Sequence, residues 1–248
     1  MTRIFPVFRL LAALGVALGV VACTPAPRAA GISDPHEALN RKVHDFNVKF
    51  DQQFFGPASE AYGEGVPGPV RARVRDFAAN TTLPSVIVND LLQGRIEDAG
   101  HNAVRFLFNT TIGLAGLFDV ATGIGLEERP TDFGETLHVW GAEEGNYVVL
   151  PVFGPSTERD AVGIAVDFFT NPLSYVLEPP EKHLPTAANL LNRFDGRYEY
   201  AATVEDILYN SQDSYVTARM FYLDNRRFQL SGDETNREIY DIYDEAYE

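Results

Sequence analysis

Residues 34–55 read DPHEALNRKVHDFNVKFDQQFF. Asp34 is placed to cap a helix, with Pro35 at its first position and Glu37 three residues after the cap. Leu39, Val43, Phe46, Phe50 and Phe54 then recur at spacings of four, three, four and four. At 100° per residue they form one narrow aromatic stripe, with Arg41, His44, Asp45, Asp51 and Gln52 mostly opposite. Such a stripe serves either a helix packed on a core or a helix lying in a membrane interface, and composition alone leaves both open.

Upstream of this helix, Arg3 and Arg9 flank an uncharged apolar stretch, Leu10–Ala22, too short to span a bilayer. It ends in Val20-Val21-Ala22-Cys23, and Cys23 is the single cysteine of the chain. A lone thiol forms no intramolecular disulfide. A small residue before a cysteine is the pattern of a bacterial lipoprotein signal. Residues 1–22 are therefore expected to be the signal peptide, and Cys23 the site of a covalent diacylglycerol. Thr24 follows where an inner-membrane retention signal would have Asp, so the expected destination is the outer membrane. Residues 23–33, rich in Ala and Pro, read as a lipidated tether.

The 248-residue chain carries 20 basic and 35 acidic residues, for a net charge of −15. That balance excludes nucleic acid as a partner, since phosphate binding needs a basic face. It equally disfavours electrostatic docking on anionic lipid, leaving apolar or covalent attachment.

Downstream, Gly56–Pro69 is dense in Gly and Pro and is expected to be a turn or loop. Val70, Val74 and Phe77 open a second helix interleaved with Arg71, Arg73 and Arg75, the compact basic cluster of the chain. That cluster could meet headgroups or an acidic partner, or simply be a solvated face. Pro84–Leu92 reads as a separate short helix stopped by Gly94, and Ile96–Phe108 as another. Thirteen residues without a charge run from Phe106 to Phe118, and Asp167 is the one charge between Val162 and Leu177. Both stretches suit a core, or equally a single leaflet or lipid path. Tyr147–Phe153 is the strand-like piece. Arg197–Phe228 reads as the longest helix, with Tyr200, Val204, Ile207, Ser211, Tyr215, Ala218 and Tyr222 on one face. Residues 34–231 are expected to form the helical domain. The acidic residues 232–248 are expected to fray or be disordered.

Catalytic signatures are missing from the sequence: there is no Gly-x-Ser-x-Gly elbow, Walker lysine or dinucleotide turn. His36, His44, His101, His138 and His183 show no metal-ligand spacing. His36 and His44 read as surface histidines. Asp132, Glu135, Asp160 and Asp167 are acids near aromatic segments whose spacing dictates no acid–base pair. The expectation is a non-enzyme without catalytic residue, metal or cofactor beyond the acyl group on Cys23.

Several strings, taken in order, resemble the MlaA (VacJ) family. They are Asp34-Pro35-His36-Glu37 through Asn40-Arg41, Phe46-Asn47, and Pro84 through Asn89 to Leu92-Gln93-Gly94. Arg105-Phe106, Asn109-Thr110, Gly113, Gly116 and Asp119-Val120-Ala121 follow, then Asp132-Phe133-Gly134, Trp140-Gly141, Leu150-Pro151 and Gly154-Pro155-Ser156-Thr157. Gly56, His138, Glu143 and Glu144 depart from the family pattern. The resemblance implies a mainly α fold: a ring-like assembly of amphipathic helices in one leaflet of the outer membrane, with few or no strands. It implies an anchor on the periplasmic face of a Gram-negative outer membrane. It also implies retrograde transport of mislocalised phospholipid through a central channel, together with a porin trimer and a periplasmic MlaC-like carrier. Phe46 and Asn47 match an element tied to gating. Leu39, Val43, Phe50, Phe54, Phe106, Phe108, Leu114, Leu117 and Phe118 are the candidate membrane or lipid face. The competing expectation is an adaptor lipoprotein that docks on porins without moving lipid.

Overall fold

A computed structural model describes residues 32–244. The expected signal peptide, Cys23, residues 23–31 of the tether and the last four residues lie outside the described residues. Helices dominate, so the mainly α expectation holds, with one two-stranded hairpin added to it.

The opening helix, α1 (Glu37–Phe50), forms where the aromatic stripe predicts it. Asp34, however, does not cap it, and His36 occupies the N-cap position without a side-chain cap bond. The Asp34 carboxylate is taken elsewhere, accepting from Asn40 Nδ2, Tyr215 OH and Arg219. The chain then passes through a π turn, Asp51–Phe55, straight into α2 (Gly56–Gly65). The loop expected at 56–69 is thus mostly helix. Glycine here permits close packing more than turning: a Cβ on Gly63 would lie 2.2 Å from the ring of Tyr198. The helix breaks at Val66, which is extended (φ −105°, ψ 122°), before Pro67.

Next, α3 (Gly68–Leu92) is one 25-residue helix where the sequence suggests two, with Pro84 inside it. Proline removes an amide and crowds the preceding turn. A side chain from another element serves a carbonyl of that turn, as Asn171 Nδ2 donates to Thr81 O at 3.1 Å. Gly94, at φ +75°, ends the helical run as expected. Then come α4 (Ile96–Thr111), α5 (Val120–Gly123) and α6 (Phe133–Val139). Asp119 and Asp132 cap the last two by accepting from Thr122 N and Glu135 N.

Strands β1 (Tyr147–Leu150) and β2 (Gly154–Thr157) pair antiparallel, Tyr147 opposite Thr157 and Leu150 opposite Gly154. Thr157 caps α7 (Glu158–Thr170) through Asp160 N. There follow α8 (Leu173–Val176), a 3₁₀ turn at Glu181–His183, α9 (Leu184–Glu199), α10 (Ala201–Glu205), a second π turn at Asp206–Asn210, and α11 (Ser214–Asp244). The single helix expected at 197–228 is therefore divided. Ser211 is extended (ψ 150°), and the Asp213 carboxylate accepts from Val216 N to restart the helix. Of the residues expected to share one face, Val204 lies in α10, Ile207 in the second π turn and Tyr215, Ala218 and Tyr222 in α11, while Tyr200 and Ser211 fall between elements. Beyond Gly232, where fraying is expected, α11 continues to Asp244.

Packing partners close into a circuit: α2 on α9, α9 on α3, α3 on α6, α6 on α7, α7 on β1, and β1 back on α1. The α6–α7 contact is tight enough that a Cβ on Gly163 would lie 2.5 Å from Gly134 N. The closing contact, α1 on β1, is made by amides. Asn40 donates to Tyr147 O (3.0 Å) and accepts from Val149 N (3.0 Å). Asn47 donates to Leu150 O (3.0 Å) and accepts from Val152 N (2.7 Å). Seven helical residues rise about 10.5 Å. Three strand residues advance about 10 Å, so successive amides meet successive gaps of the strand edge. A lone hairpin is marginal in water, and here α1 stands in for its missing third strand.

Replacing Asn40 by Ala leaves two buried backbone groups without partners, each costing about 1–3 kcal/mol. Urea unfolding of Asn40→Ala is expected to show a loss of about 2–6 kcal/mol. A loss under about 0.5 kcal/mol, the range of a neutral surface change, would remove the clamp from the account.

Candidate functional site

Along α1 the aromatic stripe points away from the protein. Leu39 (61%), Phe46 and Phe54 (62%) are exposed, and Val43 and Phe50 are half-buried. The buried residues of the same helix are Asn40 and His44. α4 repeats this inversion: Ala99, Asn102, Arg105 and Asn109 are buried, whereas Val104, Leu107 and Phe108 are exposed. In the uncharged run Leu114, Leu117 and Phe118 are exposed and Phe106 is half-buried. In the second apolar stretch Phe168 (75%), Phe169 and Val176 are exposed. The core alternative for these three segments is therefore set aside: their apolar side chains form an outer face.

Among the described residues, 31 large apolar side chains are exposed and only 11 apolar residues are buried, against 17 buried polar or charged ones. Each exposed Phe or Leu forgoes about 1.5–3 kcal/mol of transfer free energy in water. A surface carrying so many is matched to an apolar surrounding phase. Yet no helix among the described residues is long and apolar enough to cross a membrane.

The interior is held by ion pairs and amides. Asp160 accepts from Arg226, Arg159 and Tyr222 OH, and Arg226 also reaches Asp132 (2.7 Å). Burial works to raise the Asp160 pKa, but these donors hold it below the usual carboxylate range. Asp51 is gripped by Arg197 and Tyr209 OH (2.6 Å). Asp167 accepts from Asn89 Nδ2 and Phe133 N, and Glu135 from Arg95. The four acids Asp132, Glu135, Asp160 and Asp167 are thus joined to structural donors.

The basic cluster is paired with acids of the same chain. Arg71 and Arg75 bind Asp195, Arg75 binds Glu199, and Arg73 binds Asp76 (3.0 Å) and lies over the Phe118 ring. Arg71 is largely covered, while Arg73 and Arg75 keep part of their side chains exposed, so the cluster meets acidic partners within the chain and still presents a partly solvated edge. His44, read as a surface residue, is buried instead, 2.9 Å from Ser214 Oγ and edge-on to Tyr215. Burial lowers its pKa. His101 bonds Glu127 O and His138 contacts Arg159. No group of three potential metal ligands occurs among the described residues.

Clefts among the described residues open into this polar interior. One, of about 310 Å³, lies between the first π turn, α2, α9 and the second π turn, and contains Asp51, Arg197 and Tyr209. Another, of about 470 Å³, lies beside His138, Arg159 and Arg227. A third, of about 200 Å³, is bounded by α3, α4 and the 119–128 segment, with Asn80, Arg105 and Asp119 in its wall. Phe46 and Asn47, the pair expected to act as a gate, sit at the α1–hairpin clamp. Asn47 is bonded to the hairpin, while Phe46 stacks on Phe50 at 6.3 Å between centroids and is exposed. Val152, which Asn47 holds, has φ +69°, an uncommon conformation for a β-branched residue.

The sequence model described as MlaA lipoprotein matches residues 32–229. The chain belongs to the MlaA lipoprotein family. The relative from Escherichia coli K12 named intermembrane phospholipid transport system lipoprotein MlaA is 32% identical over 232 residues, covering 90% of this chain and 88% of its own length. The Haemophilus influenzae protein of the same name is 28% identical, covering 90% of each. An uncharacterized Rickettsia bellii protein is 33% identical over 76% of this chain and 73% of its own. A solved structure from work on the structural basis for maintenance of bacterial outer membrane lipid asymmetry superposes with a TM-score of 0.69 at 31% identity. It covers 80% of this chain and 99% of that one.

The residues that sequence reading misses in this MlaA-family chain are the buried amides. Asn102 donates to Asp90 (2.8 Å) and Arg129 O, and Asn109 bridges Asp119 and Ala121 N. Burial pushes the Asp90 pKa up to about 6. The folded state then binds the proton more tightly than the unfolded chain, so Asp90 subtracts stability as pH rises from about 4 to about 6. In Asp90→Asn this component disappears. Relative to the parent, the variant is expected to gain about 2–3 kcal/mol across that window, read as the pH slope of urea unfolding. Parallel slopes for parent and variant would contradict it.

Proposed function

We propose that this protein acts in intermembrane phospholipid transport and thereby maintains outer-membrane lipid asymmetry. The observation that carries this reading is the inverted polarity: apolar side chains outside, bonded polar groups inside, and no helix among the described residues able to span a bilayer. Amphipathic helices of this kind suit one leaflet, with acyl chains against their outer faces and a headgroup passing the polar side. The names of the Escherichia coli and Haemophilus influenzae relatives support the same reading.

In detail, the chain is anchored by a diacylglycerol on Cys23 at the periplasmic face of the outer membrane. It extracts mislocalised phospholipid from the outer leaflet through a central channel, beside a porin trimer, and passes it to a soluble MlaC-like carrier. No residue is assigned a catalytic step. The exposed stripe Leu39, Phe46 and Phe54 and the run Phe108, Leu114, Leu117 and Phe118 form the lipid face, with Val43, Phe50 and Phe106 behind them. Phe46 and Asn47 gate the path: Asn47 fastens α1 to the hairpin by two bonds, so its loss frees the helix edge there.

The test is surface-exposed phospholipid on cells with and without the gene. Deletion is expected to raise it, and the wild-type copy to restore it. Cys23→Ala should fail to restore it, as should Leu107→Glu on the outer face of α4, because a charge set against acyl chains costs about 2–4 kcal/mol. Asn47→Ala should shift it in either direction relative to wild type at equal protein level. Unchanged surface lipid on deletion would leave an adaptor that docks on porins without moving lipid. An Asn47→Ala strain matching wild type would remove the gate.

A further inference from the structure

The cleft between α3, α4 and the 119–128 segment is lined by two residues, Asn80 and Arg105, that each carry one buried polar atom without a partner, and the two atoms are of opposite character. Asn80 Oδ1 is an acceptor lacking a donor, and Arg105 Nε is a donor lacking an acceptor. Each residue is only 3% exposed. Their neighbours fix this arrangement. Asn80 Nδ2 is committed to Thr110 Oγ1 (3.1 Å), which leaves the amide oxygen unmet. The chain abuts this amide at Gly116, where a Cβ would lie 2.5 Å from Asn80. The Arg105 fork is spent on Thr122 Oγ1, Leu126 O and Asp119, which leaves Nε. Buried orphans are rare, and each calls for an explanation.

The charges around them are uneven: three carboxylates (Asp76, Asp119, Glu128) and two guanidiniums (Arg75, Arg105) line the cleft. Arg75 is held by Asp195 and Glu199, Arg105 by Asp119, and Asp76 by Arg73. Glu128, exposed in the 119–128 segment, adds the carboxylate that tips the balance. A phosphate oxygen would meet the orphan donor but repel the surplus acid. An ammonium would meet the orphan acceptor and neutralise that surplus. One ligand class supplies both groups a few bonds apart.

We propose that this cleft is a subsite for a zwitterionic phosphate–ammonium headgroup, and that it biases the protein toward such lipids over anionic ones. This rests on the phospholipid-transport reading and adds a head-group preference to it. In this subsite Arg105 Nε faces the phosphate, while Asn80 Oδ1, with Glu128 beyond it, faces the ammonium.

The experiment incubates the detergent-purified, lipidated full chain with micelles containing equimolar phosphatidylethanolamine and phosphatidylglycerol, and native mass spectrometry counts the lipids retained. The wild type is expected to retain the ethanolamine lipid about fivefold over the glycerol lipid, the size of one exposed charge contact. Glu128→Lys is expected to bring the ratio near one. Glu127→Lys, outside the cleft wall, should keep the wild-type ratio. Equal retention of the two lipids by the wild type, or the same shift in both lysine variants, would overturn the subsite while lipid binding stood. Retention of neither lipid by the wild type would instead overturn the transport reading and the subsite with it.

Discussion

A polar group removed from water must be bonded, and in this chain that requirement organises the whole fold. A protein in water gathers its apolar side chains inside and lets polar ones solvate freely. Here most of the large apolar groups point outward, so much of the interior is built from Asp, Arg, Asn, Thr and Tyr. Each is costly to bury alone and each needs directional partners. Because those partners lie far away in sequence, satisfying them ties the circuit of elements together. Asp34 reaches α11 through Tyr215 and Arg219. Asp51 reaches α9 and the second π turn. Asp195 reaches α3. Asp160 joins α7 to α11.

Buried ion pairs are weak evidence for net stability, since desolvation offsets much of their attraction. Their effect here is on geometry. A hydrophobic core tolerates repacking, whereas a forked guanidinium on a carboxylate admits one distance and one angle. An interior built from such contacts holds helices at fixed spacing while their outer faces remain available to another phase. That division of labour suits a protein whose surroundings are fluid and whose inner wall must stay polar.

Much of this was legible in the sequence, but unevenly. The stripe Leu39 to Phe54 forecast α1 correctly because periodicity reports the helix whichever medium the stripe faces. It could not report the medium, since a water-facing core and a lipid face favour the same residues. The stop at Gly94 was readable because positive φ has a residue-type signature. The helix at Gly56–Gly65 was not, because the glycine that fits beneath Tyr198 looks like the glycine of a turn. Pro84 reads as a break in the sequence, yet the helix runs through it, with Asn171 Nδ2 donating to the nearby Thr81 O from ninety residues further on. The same distance hid the amides. Asn40 and Asn47 stood inside recognisable strings, yet their role is defined by a strand more than a hundred residues downstream. Sequence alone suggests a surface position for His44 because single-residue character carries no information about the hydroxyl opposite.

The clamp between α1 and β1 also constrains how this segment can change over time. Its two amides work as a vernier, two turns of helix against three steps of strand, and the match depends on length alone. Side chains between Asn40 and Asn47 can be exchanged while the scales stay aligned. Inserting or removing one residue rotates the second amide by about 100° and carries it off the strand edge. The interval is therefore free in composition and rigid in count, and lineages of this fold should drift in spelling there long before they drift in spacing.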